Sequence, residues 1–183
     1  MDKKEFKKCK VILIVGPSGA GKDTLINAIK GKVNANIVTR YITRPPDEFE
    51  QNYYVDKDAF LILKRNNFFL STWEAHSNFY GIPVNQIKRG INIISGSWTV
   101  IEEFEEKFED TITIKISAPK ELIVKRLLKR HRESQEEIKK RLERFSLEPK
   151  AKRLITFENK ENLSDSIREF KDLIESLIKE HLV

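Results

Sequence analysis

One stretch near the start of the chain combines residue types that bind phosphate. Residues 11–15 are β-branched or aliphatic, and residues 16–24 read Gly-Pro-Ser-Gly-Ala-Gly-Lys-Asp-Thr. Glycines allow a sharp backbone turn, and a helix that starts behind the turn presents its free N–H groups and its positive dipole end. Such a bend, with a lysine beside it, forms an anion site. The pattern therefore predicts a buried strand, a phosphate-binding loop and a helix from about Asp23.

The loop fits the pattern G-x-x-x-x-G-K-[ST] of nucleotide-binding proteins at Gly16, Gly21 and Lys22. Asp23 stands in the last place, and Thr24 follows one step late. We expect ATP as the ligand and Lys22 as the catalytic cation on its β- and γ-phosphates. The predicted nucleotide-binding residues are Gly16, Pro17, Ser18, Gly19, Ala20, Gly21, Lys22, Asp23 and Thr24.

Asp23 has two interpretations. As a hard oxygen ligand, its carboxylate would hold Mg²⁺ directly or through water, because the later strand that ends at 95–97 (Ser-Gly-Ser) offers no carboxylate for the metal. As an acidic residue in the first turn of a helix, it would instead stabilise the helix dipole by about 0.3–1 kcal/mol.

Composition limits the classes of protein. The chain has 183 residues, a formal net charge of +6 and one cysteine, Cys9. This length suits one domain, no apolar run approaches the roughly 20 residues that span a bilayer, and no basic–aromatic motif for nucleic acid is present. A chain without an internal disulfide is expected in the cytoplasm, and residues 1–8 lead straight into the first strand, which argues against a cleaved signal.

Strand patterns alternate with helix patterns, which predicts an α/β fold with a parallel central sheet covered on both faces, the three-layer arrangement of P-loop kinases. Asp56 is expected to cap a helix, and Pro83 to open one toward Arg89. We interpret the chain as a single domain of 1–183 in three parts. These parts are a core of 10–39, 90–129 and 145–183, an inserted acceptor-binding lobe of 40–89, and a lid of 130–144.

Four residues of the lobe are candidates for binding an acceptor. Arg40 and Arg44 flank a short segment, and guanidinium groups bind phosphate bidentately; the alternative is that they are surface arginines without a role. Tyr80 would donate its hydroxyl to the same phosphate or pack within the lobe. Ser71 would bond a sugar hydroxyl or simply fill space.

The segment 130–144 carries further arginines. Arg130 and Arg141 are candidate catalytic residues, since closure of a lid would bring positive charge to a transferring phosphoryl group and expel water. The competing interpretation is a solvated, charged helix, which suits Lys139, Lys140 and Arg144.

The order of these motifs resembles the guanylate-kinase-like group of nucleoside monophosphate kinases. The likeness runs from about Lys10 to the final helix and depends on the phosphate loop, 43–45 (Thr-Arg-Pro), 78–81 (Asn-Phe-Tyr-Gly) and the arginine-bearing lid. Guanylate kinases carry Ser or Thr where this chain has Asp23. They carry a guanine-reading Glu where it has Ser71, and an Asp after the central strand, where it has 95–97 (Ser-Gly-Ser).

A second family accommodates these departures. The chain is similar to ribose 1,5-bisphosphate phosphokinases in 16–23, in 40–44 (Arg-Tyr-Ile-Thr-Arg), in Gly96-Ser97 and in the lid start 130–133. The resemblance implies transfer of the γ-phosphoryl of ATP, with Mg²⁺, to the 1-phosphate of ribose 1,5-bisphosphate, giving phosphoribosyl diphosphate, and an association with phosphonate breakdown.

Two other functions stay open at this point. One is a nucleoside monophosphate kinase such as guanylate kinase, and the other is a non-catalytic binding module on the same scaffold. In each case the expected partner is a small phosphorylated sugar or nucleotide, with no nucleic acid and no membrane. The chain itself would be a monomer or a homodimer.

Overall fold

The structure is a computed structural model that describes residues 6, 8–46, 51–129 and 149–180. The strands are, in chain order, β1 (Cys9–Val15), β2 (Asn36–Val38), β3 (Tyr41–Ile42), β4 (Tyr53–Tyr54), β5 (Phe69–Ala75), β6 (Asn78–Pro83), β7 (Gly90–Ser95), β8 (Asp110–Ser117) and β9 (Leu154–Glu158). The α-helices are α1 (Lys22–Ile29), α2 (Lys57–Arg65), α3 (Ile101–Lys107), α4 (Lys120–Lys129) and α5 (Leu163–Glu180).

The central sheet has five strands in the order β2-β7-β1-β8-β9, and all its pairings are parallel. β1 lies in the middle, with Ile14 opposite Ser95 of β7 and Val15 opposite Lys115 of β8. In sheets of this kind, ligands bind beyond the carboxyl ends of the strands. The end of β1, where the phosphate loop begins, lies at that edge.

β1 is apolar because it is buried on both faces. Ile12 and Ile14 pack into one hydrophobic cluster with side chains of α1, α4 and α5. Val11, Leu13 and Val15 pack into a second cluster with side chains of α3 on the other face. Helices therefore cover both faces of the parallel sheet, and the predicted α/β three-layer fold is confirmed.

A second, mixed sheet has four strands in the order β4-β3-β6-β5. Aromatic side chains hold it to α2, since the ring of Phe60 stacks on Phe69 at 4.6 Å and on Phe79 at 5.6 Å between centroids. Asp56 caps α2 as expected, accepting a hydrogen bond of 2.8 Å from the Ala59 N–H. This sheet comes from the segment predicted to bind the acceptor.

Two local expectations were wrong or incomplete. Pro83 does not open a helix; it ends β6, and only the 3₁₀ turn Val84–Gln86 follows. The helix α3 was missed, although Ile101, Phe104 and Phe108 are buried and stand at helical spacing, because a segment of seven residues is too short for that pattern to stand out. Within the described part of the chain, no helix is both long and apolar enough to span a bilayer.

Candidate functional site

The phosphate loop connects the buried end of β1 to the first turn of α1. Gly16, Gly19 and Gly21 have φ angles of +144°, +84° and +91°, a region that other L-residues rarely adopt. α1 begins at Lys22, immediately after the last of these glycines, and Thr24 lies in its first turn. The sequence therefore adopts the strand, bend and helix start that a phosphate site needs.

Lys22 lies over the loop that precedes it. Its Nζ donates hydrogen bonds to the Gly16 carbonyl at 2.7 Å and to the Pro17 carbonyl at 2.9 Å. These contacts hold the ammonium group beside the bend, where it would meet a phosphate chain. The role of Lys22 on the β- and γ-phosphates stays a prediction.

Two side chains from later parts of the chain donate hydrogen bonds to carbonyl groups of the loop, and neither was predicted from the sequence. Asn159, which is fully buried, donates from Nδ2 to the Ala20 carbonyl at 2.8 Å. Arg126 Nη1 donates to the Gly19 and Ala20 carbonyls at 3.3 Å each. Asn159 follows directly after β9, at the same sheet edge as the loop, and that placement is the only signal that could have indicated it.

We expect Asn159→Ala to lower the free energy of unfolding by about 1–3 kcal/mol, because a buried hydrogen bond to the loop is lost. It should also weaken ATP binding, since the loop loses a support. Urea unfolding and ATP titration calorimetry measure the two effects. Asn34→Ala, at an exposed position, is the control and should change neither; equal behaviour of the two variants would contradict the supporting role.

Asp23 and Arg40 form an ion pair beside the loop. Arg40 Nη2 donates to Asp23 Oδ1 at 2.8 Å, and Arg40 Nε donates to Asn52 Oδ1 at 3.3 Å. Arg40 is only 7% exposed, whereas the Asp23 side chain is 26% exposed. The predicted metal ligand and one predicted acceptor ligand are thus in direct contact.

The pair lines a small cleft that is partly open to solvent. α1 forms one wall, residues 37–40 another, and residues 51 and 52 and Ser95 complete it. Most of the lining side chains are polar, and none of the described lining residues is aromatic. Ser95 is 6% exposed, and its Oγ has no hydrogen-bond partner among the described residues.

This donor set fits Mg²⁺. The cleft contains the Asp23 carboxylate and the unpartnered Ser95 hydroxyl, which are hard oxygen donors. Among the described residues, no three His, Cys, Asp or Glu side chains converge on one point. One carboxylate is nevertheless enough, because protein-bound Mg²⁺ in phosphate-transferring sites takes much of its coordination from substrate phosphates and water.

Two of the remaining acceptor candidates, Ser71 and Tyr80, lie in the second sheet. Ser71 is 3% exposed, and its hydroxyl donates to Glu103 of α3, which also accepts from Lys107. Tyr80 stacks on Trp73 with ring centroids 5.3 Å apart and planes 6° apart. Neither residue lines the cleft that holds Asp23 and Arg40.

Three further arginines were predicted to bind the acceptor or to take part in catalysis, and the structure describes one of them, Arg44. Arg44 is half-buried, and its Nη1 donates to the Pro45 carbonyl at 3.4 Å. Arg130 and Arg141, with the rest of the predicted lid of 130–144, lie outside the described residues.

Comparison with known proteins gives a family. The guanylate kinase family profile matches residues 8–177. Over 146 residues the chain is 36% identical to the ribose 1,5-bisphosphate phosphokinase PhnN of Agrobacterium fabrum, which covers 75% of this chain and 80% of that protein. The corresponding enzyme of Rhizobium etli is 34% identical over 146 residues, 75% of this chain and 74% of that protein.

Similarity extends to longer proteins and to solved structures. The bifunctional ribose 1,5-bisphosphokinase-thymidine phosphorylase of Cupriavidus necator is 34% identical over 138 residues, and the chain spans only 23% of its length. The guanylate kinase of Anaplasma phagocytophilum has the same fold, with a TM-score of 0.60 and 22% identity over 96% of this chain and 87% of that one. A gluconokinase from Sinorhizobium meliloti is also similar in fold, with a TM-score of 0.56 and 13% identity over 96% of this chain and 97% of that one.

Proposed function

The chain belongs to the guanylate kinase family, and on that premise we propose that it phosphorylates a sugar phosphate at the expense of ATP. The proposed acceptor is ribose 1,5-bisphosphate, and the products are phosphoribosyl diphosphate and ADP. The names of relatives that this chain covers for three quarters of their length or more support this acceptor. An association with phosphonate breakdown belongs to the same proposal.

The observation that carries the proposal is the chemistry of the cleft beside the loop. Its lining includes the side chains of Asn27, Thr39, Asn52 and Ser95, whose amides and hydroxyls suit sugar hydroxyls, and the guanidinium of Arg40, which suits phosphate. A purine pocket would be expected to offer a flat apolar wall and a carboxylate for the guanine edge. This chain has Ser71 at the position where guanylate kinases carry their guanine-reading Glu, so we favour a sugar phosphate over GMP.

The reaction needs little covalent chemistry from the protein. An ionised oxygen of the acceptor 1-phosphate attacks the γ-phosphorus, a new P–O bond forms, and the bond from the γ-phosphorus to the β,γ-bridging oxygen breaks as ADP leaves. Because the attacking oxygen is already deprotonated at neutral pH, no general base is required. The work is positioning and charge stabilisation.

Each proposed group has a role in that positioning. Lys22 and the backbone of 16–21 hold the β- and γ-phosphates, and Asp23 holds Mg²⁺, which supplies charge neutralisation on those phosphates when bound. Arg40 binds one acceptor phosphate at the cleft, and Arg44 and Tyr80, which do not line the cleft, are candidates for the other phosphate. The buried Ser71 shapes the lobe. Arg130 and Arg141 bring positive charge to the transferring group.

An acceptor comparison tests the proposal. In one assay that couples ADP release to absorbance, ribose 1,5-bisphosphate and GMP are supplied at equal concentration with ATP and Mg²⁺. We expect kcat/KM for the sugar phosphate to exceed that for GMP by at least about a hundredfold, since Ser71 replaces the carboxylate that would select guanine. Faster turnover of GMP would support a guanylate kinase instead, and absence of ATP binding would support a non-catalytic module.

The setting of the reaction is part of the proposal. We place the protein in the cytoplasm, where ATP and sugar phosphates are available and where its single cysteine, buried Cys9, would stay reduced. Its partners are small phosphorylated metabolites rather than nucleic acid or membrane. Sedimentation at micromolar concentration would distinguish a monomer from a homodimer.

A further inference from the structure

Arg40 is a buried cation whose charge is balanced by the residue predicted to hold the metal. It is 7% exposed, and its guanidinium contacts the Asp23 carboxylate at 2.8 Å and the Asn52 side chain at 3.3 Å. A guanidinium removed from water needs a compensating charge. The pair therefore accounts for an aspartate at a position where the P-loop pattern has Ser or Thr.

The Asp23 carboxylate can pair with either of two cations, the Arg40 guanidinium or a bound Mg²⁺ ion. Asp23 follows Lys22 in the first turn of α1, the position from which P-loop proteins ligate Mg²⁺. Arg40 reaches this carboxylate from the opposite side of the cleft, beyond the end of β2. A metal ion at Asp23 would weaken the attraction for the guanidinium, because two cations would then share one negative charge.

A second observation at this place points to a ligand. Ser95 is 6% exposed and lines the cleft with Asp23 and Arg40, and its buried hydroxyl has no hydrogen-bond partner among the described residues. Buried hydroxyls are normally hydrogen-bonded. An oxygen donor left unsatisfied beside a carboxylate is suited to a metal ion or to a water in its coordination shell.

We propose that Asp23 and Arg40 exchange partners when Mg²⁺·ATP binds. Asp23 would then hold the metal ion through its carboxylate, with the Ser95 hydroxyl as an additional direct or water-mediated ligand. The Arg40 guanidinium is released to bind the anionic acceptor. Metal and acceptor binding are thereby coupled through one ion pair, so that the acceptor cation becomes available only when the donor nucleotide is loaded. The acceptor part of this proposal rests on the proposed function, whereas the metal part does not.

A double-mutant cycle on metal binding tests the exchange without any acceptor. Electron paramagnetic resonance measures the affinity of Mn²⁺ for each protein saturated with a non-hydrolysable ATP analogue. Arg40→Gln should bind Mn²⁺ about tenfold more tightly than the unmodified protein, because a competing cation is removed, and Asp23→Asn about tenfold more weakly. In the double variant the gain from Arg40→Gln should disappear, since its effect acts through Asp23.

The controls keep this test decisive. Arg65→Gln, an exposed arginine at the end of α2, should leave the Mn²⁺ affinity unchanged. Asp23→Asn leaves Arg40 buried without a counter-charge, so circular dichroism melts must accompany it; Arg40→Gln removes the charge altogether and is expected to fold. Unchanged or weaker Mn²⁺ binding in folded Arg40→Gln overturns the exchange. So does a gain that persists in the double variant.

A second measurement separates this inference from the proposed function. Calorimetry gives the affinity of ribose 1,5-bisphosphate for the protein with the ATP analogue, with and without Mg²⁺. Mg²⁺ should tighten acceptor binding about tenfold, and Asp23→Asn should abolish the increase. If the sugar phosphate does not bind while the Mn²⁺ cycle behaves as expected, the proposed acceptor is wrong and the exchange stands. Binding of the sugar phosphate with no Mg²⁺ effect leaves the acceptor correct and overturns the coupling.

Discussion

Lys22→Ala is expected to lower the rate of phosphoryl transfer by about 10²–10³-fold while the protein stays folded. Removing one preorganised donor at a reacting group typically costs two to three orders of magnitude in kcat, and the Lys22 ammonium contacts the loop that would hold the transferring phosphate. The substitution removes the hydrogen bonds from Nζ to the Gly16 and Pro17 carbonyls at the protein surface, and it leaves the buried core unchanged. The ADP-release assay with ribose 1,5-bisphosphate measures the loss.

Lys64→Ala is the matched control, because this lysine is exposed on α2 and should leave turnover unchanged. Circular dichroism melts of both variants verify the fold. If Lys22→Ala retained more than about a tenth of the turnover, the loop would not be holding the transferring phosphate in the manner proposed, since the loss would fall far below that of a preorganised charge.

Gly16→Ala is expected to have the largest effect on stability, at least about 3 kcal/mol in the free energy of unfolding. Gly16 has a φ of +144°, and a Cβ placed there would lie 2.3 Å from the carbonyl oxygen of Ile116 in β8. The obstacle is backbone in the neighbouring strand, which cannot rotate away as a side chain would. The loop must move, so ATP binding should be lost as well.

Gly31→Ala provides the comparison that isolates the clash. Gly31 also has a positive φ, +73°, but a Cβ there would meet nothing within 4 Å. Its cost should be only the left-handed backbone strain of about 1–2 kcal/mol. Urea unfolding of the two variants gives the difference. Equal destabilisation by both substitutions would mean that the close approach of Gly16 to β8 contributes nothing.

The parts of the fold that could be predicted from the sequence are those fixed by local patterns. The apolar run of β1, the glycines that follow it and the start of α1 lie within 9–29, and each leaves a clear signal in residue type. Asp56 as the cap of α2 is a signal of the same kind. Local preference and tertiary structure agree there, so reasoning over a short window succeeds.

Pro83 illustrates the opposite case. Proline favours the first turn of a helix, and the prediction of a helix after Pro83 used that local preference alone. In the structure, Pro83 is opposite Phe69 at the end of the β5–β6 pair. Gln86 is then held by distant groups, since its carbonyl accepts from the Asn36 side chain and its side-chain oxygen accepts from the Thr39 N–H, both at 2.7 Å. These tertiary contacts outweigh the helical preference of the segment.

In the candidate site, too, the contacts between residues close in sequence could be predicted and those between distant residues could not. The loop residues were predicted from one contiguous motif, whereas the Asp23–Arg40 pair and the Asn159–Ala20 hydrogen bond join residues 17 and 139 positions apart. No period or spacing in a single sequence indicates that such groups meet. Arg40 was expected to face a substrate, and only the fold places it against the carboxylate of Asp23.

The central place of β1 has a consequence for synthesis on the ribosome. Its hydrogen-bonded neighbours are β7 and β8, and Ala20 of the loop is held by Asn159. Contacts between segments so far apart in the chain form late, because the intervening residues must be made first. The N-terminal motif is translated at the outset, yet a nascent polypeptide should acquire nucleotide affinity only when residue 159 has left the exit tunnel.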